Sequence, residues 1–461
     1  MMELFSTISE ISQLIRSRQL SSADLVQQQL TRIRQVDPIV KSFSYVYDEQ
    51  ALVAAKVCDA ELAAGRWRGP LHGVPLSIKD IYGIKGDPFE IGMPSRKGLK
   101  AETTATVVTK LVEAGAVIVG RVHTTEGVLA EHTPPFEAPK NPWGLDRWVG
   151  VSSSGSGSST AACLAFGTLG SDTGGSIRMP SASNGVTGLK PTWGRCSRYG
   201  VFELAATLDH VGPIARSALD TGLILEAIAG FDHNDPTSLT AATDDYGSKQ
   251  ALTGTGVRIG VDFGWALSDV SAAVSQGLKE AMQVFIEAGV EIIPIMFPDP
   301  ETINMDWFKV CGVQTAFAHG KWYDDHKQEY GSSLGDIIEL GRNMSGLDYQ
   351  EVILRRLEFR GRVLEALQSV DVMLIPGLPF EAPPADQMTR MSVEQLAKVH
   401  RYTVPFTMSQ LPTITMPSGY GEKGLPVSIQ IVGKPLSEKL LVRLGQVFQA
   451  RTDFHKKHPN I

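Results

Sequence analysis

Residues 150–176 read GVSSSGSGSSTAACLAFGTLGSDTGGS, with eight serines and seven glycines in 27 positions. A flexible linker shares this texture. The middle of the stretch, TAACLAFGTLG, argues against a linker, which has no use for a small-residue apolar run. That run suits a closely packed helix. Residues 150–176 are therefore expected to lie inside a fold.

The flanks support this. Upstream, LHGVPLSIKD (71–80) reads as a buried strand ending in charge, 104–115 as a helix, and AVIVGR (116–121) as a second buried strand. Further strand-like runs are Val257–Asp262, Val290–Ile295, Val370–Ile375, Pro412–Met416 and Val427–Val432. Helix-like runs are Val270–Ala288, Leu354–Ser369 and Glu438–Arg451. Residues 5–35 predict two amphipathic helices. Ile8, Ile11 and Ile15 recur at helical spacing, and Ser21 with Asp24 resembles a capping box before Leu25, Leu30 and Ile33. The alternation predicts α/β with both sheet faces covered. Residues 230–255 and 296–350 look irregular and are expected to form loops or a helical cap over a site. There is no internal repeat and no clear interdomain linker.

Composition narrows the function. The chain has 461 residues, 43% hydrophobic and 20% charged, and a net charge of −7. An acidic balance argues against a nucleic-acid partner, which asks for a basic footprint. Cys58, Cys163, Cys196 and Cys311 lie far apart and form no CxxC pair, so buried single thiols in a reducing compartment are expected. The start, MMELFSTISEISQLIRSRQL, carries Glu3 and Glu10 and no secretory pattern. No apolar run approaches the ~18 residues of a membrane span. A soluble, cytoplasmic protein is expected.

Familiar catalytic patterns are missing or misplaced. The one G-x-S-x-G, Gly331–Gly335 around Ser333, follows YDDHKQEY and not a strand, so it lacks the context of a nucleophile elbow. Neither S-x-x-K nor HExxH occurs, and the P-loop pattern is missing. His72, His123, His132 and His210 are scattered and are expected to be structural. Three features remain: Lys79 at the end of an apolar strand, the run Ser152–Ser153–Ser154, and Ser176 within Asp172-Thr-Gly-Gly-Ser-Ile-Arg178. A lysine closing an apolar strand is partly desolvated, and desolvation favours its neutral, basic form. Lowering its pKa from about 10.4 to about 7.5 takes roughly 4 kcal/mol. Serines bridging that amine to a second serine would make a proton relay to a nucleophile. Glycines beside a serine let backbone N–H groups approach a substrate oxygen.

In this order and spacing, PLSIKD, the Ser/Gly run, and GSDTGGSIR 24 residues from Ser152 to Ser176, resemble the amidase signature family. So do GVTGLKPTWGRCSRYGV (185–201), LDHVGPIARSALD (208–220) and VPFTMSQLPTITMPSGYGEKGLPVSIQIVGKP (404–435). The resemblance implies a mixed, mostly parallel central sheet covered by helices on both faces. It implies one large domain over 1–461: N-terminal helices (1–60), a catalytic core (61–230), a variable or cap region (231–365), and closing strands and helix (366–461).

By the same resemblance Ser176 is the nucleophile. Ser152 is the bridging serine, preceded by a cis peptide bond, and Lys79 is the base. The N–H groups of Thr173, Gly174, Gly175 and Ser176 form an oxyanion hole, while Ser153, Asp172 and Arg178 brace the network. The implied reaction is hydrolysis of an amide, aryl acylamide, carbamate or urea-like bond through an acyl-enzyme. The expected partner is a small-molecule amide, with no metal, no organic cofactor, no nucleic acid and no membrane. The alternative is the glutaminase component of a tRNA-dependent amidotransferase. Residues 300–350 lack the Tyr-rich stretch and Asn-Leu-x-Arg-Tyr-Asp-Gly run expected there. A homodimer is expected on general grounds.

Two segments depart from the family's pattern. Its serine run usually reads Gly-Gly-Ser-Ser-Gly-Gly-Ser; here Val151 and Ser154 replace two glycines. Either the fold tolerates Val151 beside the cis bond, or that bond is altered. The segment GIKGDPFEIGMPSRKG (83–98) replaces a Thr- and Gly-rich loop. Phe89, Ile91 and Met93 either shape an acyl or aryl pocket or pack the loop onto the core.

Overall fold

The computed structural model describes residues 2–248, 251–389 and 391–461. Among them eleven strands form one continuous sheet: β1 (Phe43–Val46), β2 (Pro75–Lys79), β3 (Val117–Val122), β4 (Gly167–Asp172), β5 (Thr187–Lys190), β6 (His210–Ala215), β7 (Arg258–Val261), β8 (Glu291–Pro294), β9 (Val372–Pro376), β10 (Thr413–Tyr420) and β11 (Pro426–Gly433). Their order is β1-β3-β2-β4-β6-β5-β10-β11-β9-β7-β8.

The sheet is mixed and flanked by helices, as expected. "Mostly parallel" needs correction. Only β3–β2, β2–β4, β9–β7 and β7–β8 are parallel. The other six junctions are antiparallel. The reason is that an unbroken apolar run reports burial on both faces and says nothing of strand direction. The parallel pairs β2/β3 and β7/β8 are each joined through a helix, Thr106–Glu113 and Ala272–Glu287. The antiparallel middle is built from close returns such as β10–β11. Its end carries GYGEKG (419–424), which spells G-x-G-x-x-G but forms a hairpin rather than a strand-to-helix turn.

The stretch 150–176 lies wholly inside. A helix spans Ser154–Ala161 and β4 begins at Gly167, so TAACLAFGTLG is split between a helix end and a strand. All eight residues of that helix are buried. Its small side chains let it press on its neighbours: a Cβ at Gly155 would lie 2.6 Å from the His123 amide nitrogen. In the segment 296–350 the helical alternative is the one the fold adopts. It folds as helices Glu301–His319, Tyr323–His326 and Ser332–Arg342, followed by Gly346–Ala366. The first of these buries residues around much of its circumference, Ile303, Asp306, Trp307, Val310 and Thr315 among them, which blurs the one-sided periodicity that sequence reading relies on.

The N-terminal helices run Ile8–Arg16 and Ser22–Val40. Ile8, Ile11, Ile15, Leu25, Leu30 and Ile33 are all buried, and Ser21 caps through the Asp24 amide. All four cysteines are free and buried. No helix among the described residues is long and apolar enough to cross a membrane.

Candidate active site

β2 and β4 are parallel neighbours, so their carboxyl ends open on the same edge of the sheet. β2 ends in Lys79 and β4 ends in Ser171-Asp172. Crevices at the carboxyl ends of strands are where open α/β sheets bind ligands. Lys79 is fully buried. Its Nζ donates to Ser152 Oγ at 2.7 Å and to Ser171 Oγ at 2.9 Å. Burial pushes the Lys79 pKa down to about 7, against the opposing pull of Asp209 and Asp172. An amine depressed by desolvation is what the sequence argument expected of this lysine.

The bond between Val151 and Ser152 is cis. The fold therefore accommodates valine where the family usually has glycine. Val151 is half-buried and packs with Trp148 and Met179. The second departure, Ser154, has its Oγ 3.0 Å from His132 Nε2. Ser153 Oγ donates to Ser171 O at 3.1 Å and accepts from the Ser171 amide at 3.2 Å, stitching the serine run to β4.

The turn after β4 is held from every side. Asp172 and Arg178 are both fully buried. Arg178 Nε and Nη2 donate to the two carboxylate oxygens at 2.9 and 2.8 Å. Burial alone would raise the Asp172 carboxyl, yet the guanidinium holds it well below the usual carboxylate range. The same carboxylate accepts from the amides of Gly175 (2.8 Å) and Ile177 (3.1 Å). Arg178 also reaches Thr403 O and Thr407 Oγ1, both at 2.7 Å. Thr403 Oγ1 donates to Gly174 O at 2.6 Å. Gly175 takes φ +142°, a region that favours glycine.

The four amides expected at an oxyanion hole differ in their partners. The Gly175 N–H donates to Asp172. Among the described residues' hydrogen bonds no partner appears for the amides of Thr173, Gly174 or Ser176, nor for Ser176 Oγ. Ser176 is half-buried and faces a cavity of about 530 Å³. Val151, Trp148 and Met179 line one part of it, and Trp307, Phe308 and Ile337 line another. Ser333, of the misplaced G-x-S-x-G, also reaches this cavity, but from the first turn of helix Ser332–Arg342 rather than from a strand elbow.

Phe89, Ile91 and Met93 do not line the cavity. Ile91 and Met93 are fully buried, and Phe89 packs edge-on to Phe202 with ring centroids 6.4 Å apart. The core-packing reading holds for them. The four histidines are structural in their surroundings. His72 Nε2 meets Cys58 O at 2.9 Å. Burial lowers His123 to about 4 and His132 to about 3. His210 Nδ1 faces two carbonyls, Leu208 O and Asp172 O, and so carries its proton there.

Sequence reading missed Ser171, Thr403, Thr407, Asp209 and Trp307. Ser171 carried a signal, because it precedes Asp172 on the strand that ends beside Lys79. Asp209 starts no motif of its own. Its carboxylate accepts from Thr173 Oγ1 at 2.6 Å and from the Leu204 and Ala205 amides. Burial raises it to about 6. It shares a water-sized void of about 30 Å³ with Ser171 and His210.

Comparison with known proteins gives one consistent result. The family model described as Amidase matches residues 24–442. AmiD of Mycobacterium tuberculosis is 39% identical over 456 residues, spanning 98% of this chain and 96% of that protein. A glutamyl-tRNA(Gln) amidotransferase component of Halorhodospira halophila is 34% identical over 483 residues, 98% of each chain. Among solved structures, a chain from a vestigial protein complex that bears on the evolutionary origins of an s-triazine catabolic enzyme superposes with a TM-score of 0.90. It shares 28% identity and covers 97% of this chain and 98% of its own.

Proposed function

This chain belongs to the amidase signature family, and we propose that it hydrolyses a carboxylic amide, or a closely related C–N bond, through a covalent intermediate on Ser176. The observation that carries the reading is the buried bond from Lys79 to Ser152, beneath a cavity lined by Val151, the neighbour of Ser152, and by Ser176.

In this mechanism neutral Lys79 takes a proton from Ser152 as Ser152 takes the proton of Ser176. Ser176 Oγ then adds to the amide carbonyl. The amides of Thr173, Gly174 and Ser176 are the donors assigned to the developing oxyanion, since Gly175 is committed to Asp172. The C–N bond breaks, and the relay returns the proton to the leaving nitrogen. Water enters, gives its proton to the relay and releases the acid. The Ser152-to-Ser176 link closes when substrate fills the cavity, as catalytic hydrogen bonds commonly do. Ser153 and the Asp172–Arg178 pair hold the parts in register.

A second reading, the glutaminase component of an amidotransferase, is favoured by the 34% identity to the Halorhodospira protein. It predicts ammonia release from glutamine and dependence on partner chains. A stand-alone enzyme needs neither. Buried free thiols fit a reducing, cytoplasmic compartment, and a homodimer is the assembly we assign on symmetry grounds.

The test is turnover of the full chain beside Ser176→Ala and Lys79→Ala, with amine and ammonia both quantified. Labelling by a serine-directed fluorophosphonate should disappear in Ser176→Ala. Unchanged turnover in that variant would sink the mechanism.

A further inference from the structure

The cavity beside Ser176 is walled mainly by apolar side chains, and one wall does two jobs. Trp307 stands on helix Glu301–His319 and is 5% exposed. Its Nε1 donates to Thr173 O at 2.8 Å, the carbonyl that begins the candidate oxyanion turn. Its six-membered ring lies on Gly174, where an added Cβ would be 2.6 Å from Cζ2. Only glycine permits that approach. The indole also stacks on His400, centroids 5.1 Å apart at 28°, and meets Phe308 edge-on at 5.0 Å.

Trp307 is thereby fixed from both sides. Its neighbour Asp306 is buried and receives Arg355 Nε at 2.7 Å and Nη2 at 2.8 Å, which pins the helix. Further along, Thr315 Oγ1 donates to Leu204 O at 3.1 Å. Trp307 also contributes to the wall of the cavity, which it shares with Val151 and Met179. Among the described residues the charged side chains in the lining are Glu131, Lys309 and Asp336, and Lys309 lies 3.5 Å from Asp306. A space of about 530 Å³ with such walls suits a ring or a branched chain better than a zwitterion such as glutamine.

Resting on the reading of Ser176 as nucleophile, we propose that the substrates are amides carrying a bulky apolar group, aromatic or branched aliphatic. We further assign Trp307 as the positioning residue that couples contact with that group to the placement of the Thr173 and Gly174 amides. A group pressed on the indole is pressed on the residue that holds the oxyanion turn. Filling the pocket and stabilising the transition state then draw on one side chain, so remote apolar contact raises kcat as well as lowering KM.

The experiment measures kcat and KM separately for 2-phenylacetamide, acetanilide, acetamide and glutamine. It uses wild type, Trp307→Phe, Leu340→Ala and Ser176→Ala. In the wild type, at least one phenyl amide should exceed both acetamide and glutamine in kcat/KM by ~10-fold or more. Trp307→Phe keeps a ring but loses the N–H that holds Thr173 O. It should lower kcat on the preferred amide by ~10-fold or more, with KM within about 3-fold and the melting temperature retained. Leu340 lies on helix Ser332–Arg342, lines the cavity and is 43% exposed, so Leu340→Ala does not threaten the fold. It should reduce kcat/KM several-fold more on the phenyl amide than on acetamide, and an equal loss on both would count against the substrate class. Acetamide or glutamine matching the phenyl amides, or no turnover of either phenyl amide, would overturn the substrate class. A Trp307→Phe enzyme with unchanged kcat would overturn the coupling. Full activity in Ser176→Ala would instead remove the reading of Ser176 on which both rest.

Discussion

The floor of the site and its cap are built on opposite principles. The floor, residues 171–178 with Lys79 and Ser152, is polar and nearly dry. Lys79, Asp172 and Arg178 are fully buried, and their polar atoms are met by one another, by the hydroxyls of Ser152, Ser171 and Thr407, or by backbone. The cap, helices Glu301–His319, Ser332–Arg342 and Gly346–Ala366, packs apolar side chains inward and leaves others in solvent. Phe317 is 83% exposed and Leu347 is 86% exposed. The floor therefore allows little substitution, because each buried polar group has a partner that its loss would strand. The cap is tolerant at its surface and selective only where it meets the cavity. On the function proposed above, the chemistry belongs to the floor and the choice of substrate to the cap.

The largest break in that contrast is expected at the relay. Lys79→Ala should lower kcat/KM by at least ~10²–10⁴, and Ser176→Ala by more, with both proteins remaining folded by circular dichroism. Next comes Arg178→Met. It leaves the Asp172 carboxylate buried without its counter-ion, a loss of about 3–5 kcal/mol. Chemical denaturation should show that loss, whereas a comparably conservative change on the outer cap face should not.

Met93→Ala separates packing from selectivity. Met93 is fully buried but outside the cavity, so stability should fall by about 2–5 kcal/mol. Its kcat/KM values on phenyl and small amides should fall in proportion; a changed ratio would restore a pocket role for 83–98. The pH profile sharpens the floor's side. Lys79 must be neutral to accept a proton, and burial lowers it to about 7. The log of kcat/KM should therefore fall with unit slope as pH drops below about 7, and that limb should be missing from residual activity in Lys79→Ala. The smallest effect is expected at the outer cap. Phe317→Ser should change stability by less than ~0.5 kcal/mol and leave kcat/KM unaltered.

Legibility followed the same divide. Lys79, Ser152, Ser176, Asp172 and Arg178 could be found because each sits within a short run of neighbours that must bend or pack in a set way. Ser171 was within reach, one residue before Asp172. Thr403 and Thr407 could be seen only as part of a C-terminal resemblance. Their bonds to Gly174 and Arg178 span more than 220 residues and follow no spacing rule. The bond from the Gly175 amide to Asp172 depends on a carboxylate rotamer that no string of letters specifies. Trp307 lay in a segment whose periodicity was blurred by burial on several faces.

By itself the sequence determined the α/β class and the buried strand that ends in Lys79. Those follow from local chemistry: hydrophobic runs and the charge that ends one of them. Only the tertiary structure decided strand direction, the antiparallel centre of the sheet, which amides stay free beside Ser176, and which cap side chain closes on them. These depend on contacts between residues hundreds of positions apart. Such contacts are selected by shape and by the cost of leaving a buried polar group unpaired, which no local pattern records.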